Sequence, residues 1–343
     1  MTDLQGIDLV ELFKKEFELC NLTEGEHVIV LSEPTSRPDY VQAAYGAARA
    51  LGGLVAQVTV PSGTPVPEPA THTGSGPGLE AILENKVVQE ALKGADFVID
   101  VTHEGFIHSP LQVEVLDTGT RILFICDAPD VLARNLPSKE DAERVKWGAD
   151  LMNSKESMYV TSPAGTDFVA SLVDCHGGGQ KGFVDKPGQW DHWPSTMNLC
   201  WPKDSNGTIV LDQGDILLPF KEYVHNKVTL EVKDGDIVSV SGGHEARMLE
   251  RYMDDIGDRW SRSLSHQGWG IMRSANWFAT AMYSKHEIMG MDARAFAGNY
   301  LWSTGPHPFL EHDSFAHLDI VMRGVSVRCD DVQVVDSGKL IHQ

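Results

Sequence analysis

The sequence contains no long hydrophobic run. No segment approaches the roughly 18 apolar residues of a membrane-spanning helix, so we expect none. The first 17 residues already carry Asp3, Asp8 and Glu11, and they lack the basic stretch and apolar stretch that a signal peptide requires. We therefore expect neither a membrane span nor a leader.

Basic residues are scarce in this sequence. It has 28 Lys and Arg residues against 49 Asp and Glu residues, and its formal net charge is −21 at pH 7. A surface this acidic repels nucleic acid and anionic lipid, because both carry negative charge. The composition therefore predicts that neither nucleic acid nor a membrane surface is a partner.

Cysteine is also scarce. The five cysteines are odd in number, widely spaced and never in a C-x-x-C pair: Cys20, Cys126, Cys175, Cys200 and Cys329. Neither a disulfide framework nor a zinc ribbon has this pattern. Reduced thiols are typical of the cytoplasm, which is therefore the expected location.

Several familiar catalytic motifs are missing. The sequence has no G-x-S-x-G elbow and no Walker loop, so no motif indicates a serine hydrolase or a P-loop enzyme. The stretch Gly74-Ser-Gly-Pro-Gly78 precedes a predicted helix, as a phosphate-binding loop does. However, it lies at the end of the long Pro/Gly-rich loop Pro61–Gly78 rather than directly after a strand, and Pro77 disturbs its spacing. A phosphate site is therefore not favoured.

The chain is long enough for about two domains, and its pattern changes near residue 160. In the first part helical segments alternate with short apolar segments, which is typical of parallel βαβ units. We expect a doubly wound, Rossmann-like α/β domain over residues 1–160. Its predicted helices are 7–22, 39–51, 79–92, 112–116 and 138–152, and its predicted strands are 27–31, 54–60, 97–102 and 121–126.

Beyond Tyr159, short strands follow one another through glycine turns. The pair Asp234-Gly235 between two apolar segments is a strong hairpin signal. We expect residues 161–343 to form a mainly antiparallel α+β domain that binds a metal and carries the catalytic site. Its predicted strands are 208–211, 228–232, 237–240, 317–322, 325–329 and 332–335, and its predicted helices are 245–256 and 292–296.

Histidine carries the chemical signal, with 14 copies in the chain. His317-Leu318-Asp319 lies in a predicted apolar strand, where the period of two places both polar side chains on one face. A His-x-Asp pair with one distant His is the composition of the facial triad of non-haem Fe(II) oxygenases. One such pair is also expected by chance in a chain this rich in His. The spacing alone therefore leaves a metal site and a coincidence both open.

The best candidate for the third ligand is His266, in Ser265-His-Gln-Gly-Trp-Gly270, and the other candidates are His103, His108 and His192. The alternative for His266 is a loop histidine that caps or packs. His103 and His108 follow a predicted parallel strand, whose carboxyl end is where α/β sheets present ligand-facing groups.

His192 lies near Trp190, Trp193 and Trp201 in the sequence. This setting suits an aromatic substrate, and it suits an ordinary aromatic core equally well.

The order of several segments resembles that of thermophilic leucyl-aminopeptidase-like metallopeptidases. These segments are Thr161–Phe168, the glycine-rich turn at 266–270, Gly298–Gly305 and the closing His317-x-Asp319, and the resemblance covers most of the chain. That family binds two metals. Its pattern has glutamate where this chain has His266 and the segment 195–197, and histidine where it has Leu301.

Two histidines and one aspartate, the ligands of one metal, remain. With this set the sequence resembles a divergent branch of that family, the 2,5-dihydroxypyridine 5,6-dioxygenases. Thr102-His-Glu-Gly105 and the Trp-x-His-Trp-Pro stretch ending at Pro194 extend this resemblance over nearly the full length. It implies opening of the 2,5-dihydroxypyridine ring by O2, giving N-formylmaleamic acid. The alternatives are a metal-dependent aminopeptidase using Zn or Co, and a non-enzymatic binding protein.

The resemblance also implies roles for particular residues. It implies Fe(II) bound by His266, His317 and Asp319, catalytic roles for His103 and His192, and substrate contacts from Thr102, Glu104 and Arg294. For Arg294, the alternative is an ordinary charge on a helix surface. The expected small-molecule partners are a hydroxypyridine and O2. The chain is also expected to form a homo-oligomer, with a hexamer as one form.

Overall fold

The computed structural model describes residues 7–63, 70, 80–107, 109–314 and 316–341 of the chain. They form two compact units. The first consists of Met1–Lys139, Lys181–Ser195 and His286–Met289, and the second of Glu140–Gln180, Thr196–Lys285 and Gly290–Gln343. The domain limits 1–160 and 161–343 stay a prediction, because compactness alone does not define an independently folding domain.

The helices in chain order are α1 (Leu9–Leu19), α2 (Pro38–Ala50), α3 (Glu80–Leu83), α4 (Lys86–Lys93), α5 (Pro110–Asp117), α6 (Pro129–Arg134), α7 (Lys139–Ser154), α8 (His244–Ile256) and α9 (Met291–Arg294). The strands are β1 (His27–Ser32), β2 (Leu54–Thr59), β3 (Phe97–Asp100), β4 (Arg121–Ile125), β5 (Ser157–Thr161), β6 (Asp167–Ser171), β7 (His176–Gln180), β8 (Trp190–Trp193), β9 (Met197–Trp201), β10 (Ser205–Leu211), β11 (Ile216–Leu217), β12 (Glu222–Tyr223), β13 (Val228–Lys233), β14 (Asp236–Gly242), β15 (Leu264–Gly270), β16 (Tyr300–Thr304), β17 (Asp319–Met322), β18 (Ser326–Cys329), β19 (Val332–Asp336) and β20 (Lys339–Leu340).

The first unit is built on a parallel sheet in the order β2-β1-β3-β4-β8. All residues of β3 and β4 are buried, as expected of central parallel strands covered on both faces. The chain leaves β1 towards β2 on one side and returns to β3 on the other. The carboxyl ends of β1 and β3 therefore form a switch point, where such sheets place their binding sites.

The second unit contains two antiparallel sheets. Their orders are β14-β13-β10-β6-β5-β18-β19-β20 and β12-β11-β17-β16-β15-β9-β7. The hairpin between β13 and β14 turns at Asp234 and Gly235, whose φ angles of 52° and 82° are the positive values that this two-residue turn requires. The α/β class, with a parallel sheet followed by a mainly antiparallel α+β part, is thus confirmed.

Two local predictions were wrong. The continuous helix over 79–92 is divided into α3 and α4, because Asn85 caps α4 by accepting hydrogen bonds from the N–H groups of Val87 and Val88. The turn expected at 266–270 belongs to β15 instead. Glycine permits this pairing, since a Cβ on Gly268 would lie 1.9 Å from the carbonyl oxygen of Asn198 on β9.

Some predictions fall outside the described residues. The Gly74–Gly78 stretch and His108 lie there, as does most of the predicted loop 61–78. In the part of the chain that is described, no helix is both long enough and apolar enough to cross a membrane.

Candidate metal centre

Three side chains of the second unit converge on one point. His266 lies on β15, His317 lies two residues before β17, and Asp319 is the first residue of β17. The Nε2 atoms of the two histidines are 3.3 Å apart, and they lie 3.3 Å and 3.4 Å from Oδ1 of Asp319. Within the described ranges, this is the one group of three or more His, Cys, Asp or Glu residues with metal-binding geometry.

All three side chains of this triangle are buried. His266, His317 and Asp319 are 8%, 7% and 2% exposed. Burial lowers the pKa of His266 to about 4, and the nearby Asp319 carboxylate only partly opposes this effect. His266 is therefore a neutral imidazole near pH 7, which is the form that coordinates a metal.

The donor set fits a divalent cation. Neighbouring ligands that lie about 2.1 Å from one ion are about 3 Å apart, close to the edges of this triangle. Two imidazole nitrogens and a carboxylate oxygen in a buried triangle form the 2-His-1-carboxylate arrangement, in which the remaining metal positions stay open. The site can therefore hold one metal ion and present it to small molecules.

Arg294 supports this triangle from the end of α9. It is 6% exposed, so the alternative of a surface charge was wrong. Its Nη2 atom lies 3.1 Å from Oδ2 of Asp319, while Oδ1 of the same carboxylate faces the two histidines. The Nε atom of Arg294 is buried and has no hydrogen-bond partner among the described residues. This N–H is therefore available to a ligand.

Asn299 fixes the position of Arg294. Its side-chain nitrogen donates to the backbone carbonyls of Ala293 and Arg294 at 2.7 Å and 2.8 Å, and its side-chain oxygen accepts from the N–H of Gly270 at 2.7 Å. Fully buried, it joins the end of α9 to β15, the strand that carries His266. No role was predicted for Asn299 from the sequence, although it lies within the Gly298–Gly305 segment.

Three further candidates, Thr102, His103 and Glu104, follow β3 in the first unit. The hydroxyl of Thr102 donates to Asp100 at 2.6 Å and accepts from the N–H of Gly105 at 3.1 Å. The Nε2 atom of His103 lies 3.9 Å from Oε1 of Glu104, and the His103 side chain is 32% exposed. Thr102 therefore shapes the loop, while the His103 imidazole remains accessible.

A cavity of about 430 Å³ opens in the first unit at this edge of the sheet. It is lined by residues 34–40, 101–103 and 125–127 together with His286 and Glu287. These segments follow β1, β3 and β4, so the cavity lies where doubly wound sheets bind their ligands. Thr102 and His103 are both part of its wall.

His192 lies in β8 of the same unit and is buried. Its Nε2 atom is 2.7 Å from the sulfur of Cys126, at the end of β4, and its ring is 4.9 Å from that of Phe124. From the sequence, Cys126 was expected only to be a reduced thiol. Its position at the carboxyl end of a predicted parallel strand, the signal used for His103, could have indicated it.

The tryptophans near His192 in the sequence have different surroundings. Trp193 is fully buried, and its ring is 5.2 Å from that of Phe13, so it belongs to the core of the first unit. Trp201 lies on β9 of the second unit, with its ring 6.2 Å from that of His266.

The chain matches a known protein family over nearly its full length. The family model described as 2,5-dihydroxypyridine 5,6-dioxygenase matches residues 8–342. The chain belongs to this family. Membership confirms the resemblance predicted from the sequence and the assignment as an enzyme, and the family implies a metal cofactor, a small-molecule substrate and O2.

Individual relatives agree with the family match. The chain is 38% identical over 342 residues to 2,5-dihydroxypyridine 5,6-dioxygenase of Pseudomonas putida KT2440, covering 98% of this chain and 97% of that protein. A solved structure of 2,5-dihydroxypyridine dioxygenase from the same organism has a TM-score of 0.91, again with 38% identity and coverage of 98% and 97%.

A second solved structure, wild-type AmpT from Thermus thermophilus, has a TM-score of 0.65 and is 14% identical, covering 97% of this chain and 99% of that chain. At this identity the likeness shows a common fold alone. The peptidase alternative therefore rests only on a distant structural relation.

Proposed function

We propose that this chain is a mononuclear non-haem Fe(II) dioxygenase that converts 2,5-dihydroxypyridine and O2 to N-formylmaleamic acid. The observation that carries the proposal is the buried His266, His317 and Asp319 triangle in a member of the 2,5-dihydroxypyridine 5,6-dioxygenase family. The Pseudomonas putida relative bears the name of this activity.

We assign the three ligand atoms to Nε2 of His266, Nε2 of His317 and Oδ1 of Asp319. Bound there, Fe(II) supplies the activation of O2 next to an electron-rich ring. The chain itself keeps the His266 imidazole neutral by burial and turns Oδ1 of Asp319 towards both histidines through the Arg294 ion pair. Such supporting contacts orient ligands and tune the affinity of a metal site.

Arg294 has a second role in this proposal. Its Nε–H is buried and has no partner among the described residues, so it can donate a hydrogen bond to the 2-oxo or 2-hydroxy edge of the substrate. The cost of burying an unsatisfied donor is about 1–3 kcal/mol, and a bound acceptor would remove it. The same side chain would thus hold both a ligand carboxylate and the ring.

We assign proton transfer to His103, with Thr102 and Glu104 as neighbouring substrate-site residues and His192 as a second catalytic histidine. The partly exposed His103 imidazole borders the 430 Å³ cavity, and an imidazole can exchange a proton with a substrate hydroxyl. The contact between His192 and the sulfur of Cys126 supports one fixed position of that imidazole.

The metal ligands do not favour the aminopeptidase alternative. A two-metal peptidase requires further ligands near the first set, whereas the described residues contain one group with metal-binding geometry. The likeness to AmpT concerns the fold. No observation on the site favours peptide hydrolysis.

Anaerobic reconstitution separates these activities. The protein is loaded with Fe(II) or Zn without oxygen, and O2 uptake is then measured on adding 2,5-dihydroxypyridine. We expect uptake with Fe(II) only, in a ratio of one O2 to one substrate. No uptake with Fe(II), combined with Zn-dependent cleavage of aminoacyl amides, would overturn the proposal.

Two wider assignments complete the proposal. We propose a cytoplasmic location, supported by five cysteines that are all free thiols. We also propose a homo-oligomer, with a hexamer as one form, on the basis of the family resemblance. Light scattering of the purified protein gives the number of copies directly.

A further inference from the structure

Three of the five cysteines, far apart in the sequence, come together in the second unit. Cys175 precedes β7, Cys200 lies in β9, and Cys329 ends β18. The Cys175 and Cys200 side chains are joined by a hydrogen bond, and Cys329 is close enough to interact electrostatically with both. All three are free thiols, and the proposed mechanism uses none of them.

The two hydrogen-bonded thiols have different surroundings. Cys200 is fully buried, whereas Cys175 is partly exposed. The hydrogen bond with Cys200 lowers the pKa of Cys175 against the effect of burial, and the backbone N–H of Trp201 and the charge of Lys203 lower it further. The same hydrogen bond, together with burial, raises the pKa of Cys200.

This asymmetry assigns different roles to the two sulfurs. A thiolate rather than a thiol attacks an oxidant, so the accessible and more acidic Cys175 is the nucleophile. A second thiol in hydrogen-bond contact can then resolve the oxidised sulfur. An accessible cysteine of lowered pKa beside a resolving cysteine is the arrangement of redox-sensing sites.

We propose that Cys175 and Cys200 form a peroxide-sensitive dithiol that closes reversibly to a disulfide. The Cys175 thiolate attacks one oxygen of hydrogen peroxide, the O–O bond breaks, and hydroxide leaves with its electron pair to take up a proton as water. Cys175 is then a sulfenic acid. The sulfur of Cys200 attacks it, a second water leaves with the Cys200 proton, and the two thiols are oxidised by two electrons while one peroxide is reduced to two waters.

The position of Cys175 allows the sulfurs to approach. It lies just before β7, which among the described strands is at the edge of its sheet, next to β9. In that pairing Cys200 is opposite Gly177, two residues beyond Cys175. A shift at one end of an edge strand breaks few backbone hydrogen bonds, so closure of the disulfide does not require rearrangement of the central strands.

The same strand links the dithiol to the metal centre. On its other side β9 pairs with β15, where Cys200 is opposite Gln267, the neighbour of His266. Trp201, whose N–H contacts Cys175, has its ring 6.2 Å from that of His266. Oxidation of Cys175 would therefore disturb Trp201 beside a proposed ligand without moving the central strands, and we expect the disulfide form to turn over more slowly.

Thiol counting on the intact chain tests the dithiol without relying on any activity. The purified protein is treated with a small excess of hydrogen peroxide, quenched with catalase and titrated with a thiol reagent under denaturing conditions. We expect the count to fall from five to three and to return to five after dithiothreitol. Peptide mass analysis should find Cys175 linked to Cys200.

Three variants distinguish the roles. Cys200→Ser should leave a sulfenic acid on Cys175 that dimedone traps, whereas Cys175→Ser should keep its four thiols. Cys329→Ser is the matched control, because it removes the third sulfur of the cluster and should still lose two thiols. All three retain the proposed metal ligands, so oxidation caused by bound metal alone would affect them equally.

An unchanged thiol count in the wild-type chain, a disulfide to Cys329, or equal oxidation in all variants would overturn the dithiol.

The link to the metal centre rests on the proposed function and has its own test. Wild-type turnover should fall several-fold after peroxide and recover with dithiothreitol, while turnover of Cys175→Ser should not depend on the reductant. Disulfide formation with unchanged turnover would overturn the link and leave the dithiol.

Discussion

His317 supplies one corner of the ligand triangle, and the three corners come from two separate segments of the chain. His317 and Asp319 are two residues apart on one segment, so their spacing alone brings them together. His266 is 51 residues earlier and reaches them only through the sheet. The triangle is therefore complete only when β15 and β17 both have their places in the sheet on either side of β16.

Replacing His317 by Ala should abolish iron binding and turnover, since two ligands do not hold Fe(II) against water. Iron content after anaerobic loading is the measurement, and a circular dichroism spectrum checks the fold. His225→Ala, a histidine of the same unit outside the triangle, should bind iron as the wild type does. Full iron stoichiometry in His317→Ala would show that the ligand assignment is wrong.

Arg294→Met tests the support of Asp319. The substitution removes the Nη2 contact of 3.1 Å with Oδ2 and leaves a buried carboxylate that is free to turn. We expect Fe(II) affinity to fall about 10- to 100-fold, the usual loss when a partner of a metal ligand is removed. Competition with a chelator measures it. Arg273→Met, at an exposed arginine of the same unit, should change the affinity little, and equal losses in both variants would contradict the proposed support.

Asp100 gives a pH dependence with a definite sign. Burial raises the pKa of Asp100 to about 7, while hydrogen bonds from Thr102 lower it. Unfolded chains have a value of about 3.9. The folded state therefore holds the proton more tightly, so the stability that Asp100 contributes is complete below about pH 4 and is lost as the pH rises to about 7.

Asp100→Asn should remove this loss, because the amide oxygen still accepts from Thr102 and carries no charge. Near pH 8 the variant should be more stable than the wild type by at most about 4 kcal/mol, and near pH 4 the difference should disappear. Denaturant unfolding across this pH range measures it. The exposed Asp117→Asn serves as control and should leave the pH profile unchanged. A wild-type profile that rises from pH 4 to pH 7 at this site would contradict the sign.

At the scale of elements, strand β15 determines where His266 lies. It pairs closely with β9, and a Cβ on Gly268 would lie 1.9 Å from the carbonyl oxygen of Asn198. Gly268→Ala should therefore force the two strands apart, lower the free energy of unfolding by about 3 kcal/mol and weaken iron binding. Urea unfolding and iron content are the two measurements.

The control for Gly268→Ala is Gly46→Ala in α2. There the nearest atoms to an added Cβ are at 3.6 Å, and alanine favours a helix by up to about 1 kcal/mol over glycine. This variant should be slightly more stable than the wild type and bind iron normally. If Gly268→Ala behaved in the same way, close packing of β9 and β15 would not be what positions His266.

Elements with a strong local pattern were predictable from the sequence. The apolar run of β4 and the Asp234-Gly235 turn depend on neighbouring residues only, and both have the expected structure. The segment of β15 was not predictable, because Ser-His-Gln-Gly-Trp-Gly shows no apolar alternation although every residue is buried. The division between α3 and α4 could have been found, since Asn85 is a typical helix cap.

Only part of the candidate site could likewise be predicted from the sequence. The His-x-Asp spacing singled out His317 and Asp319, although His317 lies just before β17 and not within the strand as predicted. His266 was the best candidate for the third ligand, but only the family resemblance assigned it, because contacts between distant strands leave no local pattern. Burial of Arg294 and the contact between His192 and Cys126 depend on packing across strands, which the sequence does not encode within any short window.

At the scale of the whole molecule, the two units divide the candidate residues. The second unit holds the ligand triangle and Arg294, and the first holds His103, His192 and the cavity at the carboxyl ends of its strands. The chain shares its fold with AmpT, and the described residues contain one group with metal-binding geometry.

Labelling with ¹⁸O2 tests the central claim most directly. The Fe(II)-loaded protein is given 2,5-dihydroxypyridine under ¹⁸O2 in ordinary water, and the product is analysed at once by mass spectrometry. A ring-opening dioxygenase places both atoms of O2 in N-formylmaleamic acid, so the product should carry two ¹⁸O atoms. A product with one labelled oxygen or none would contradict the account.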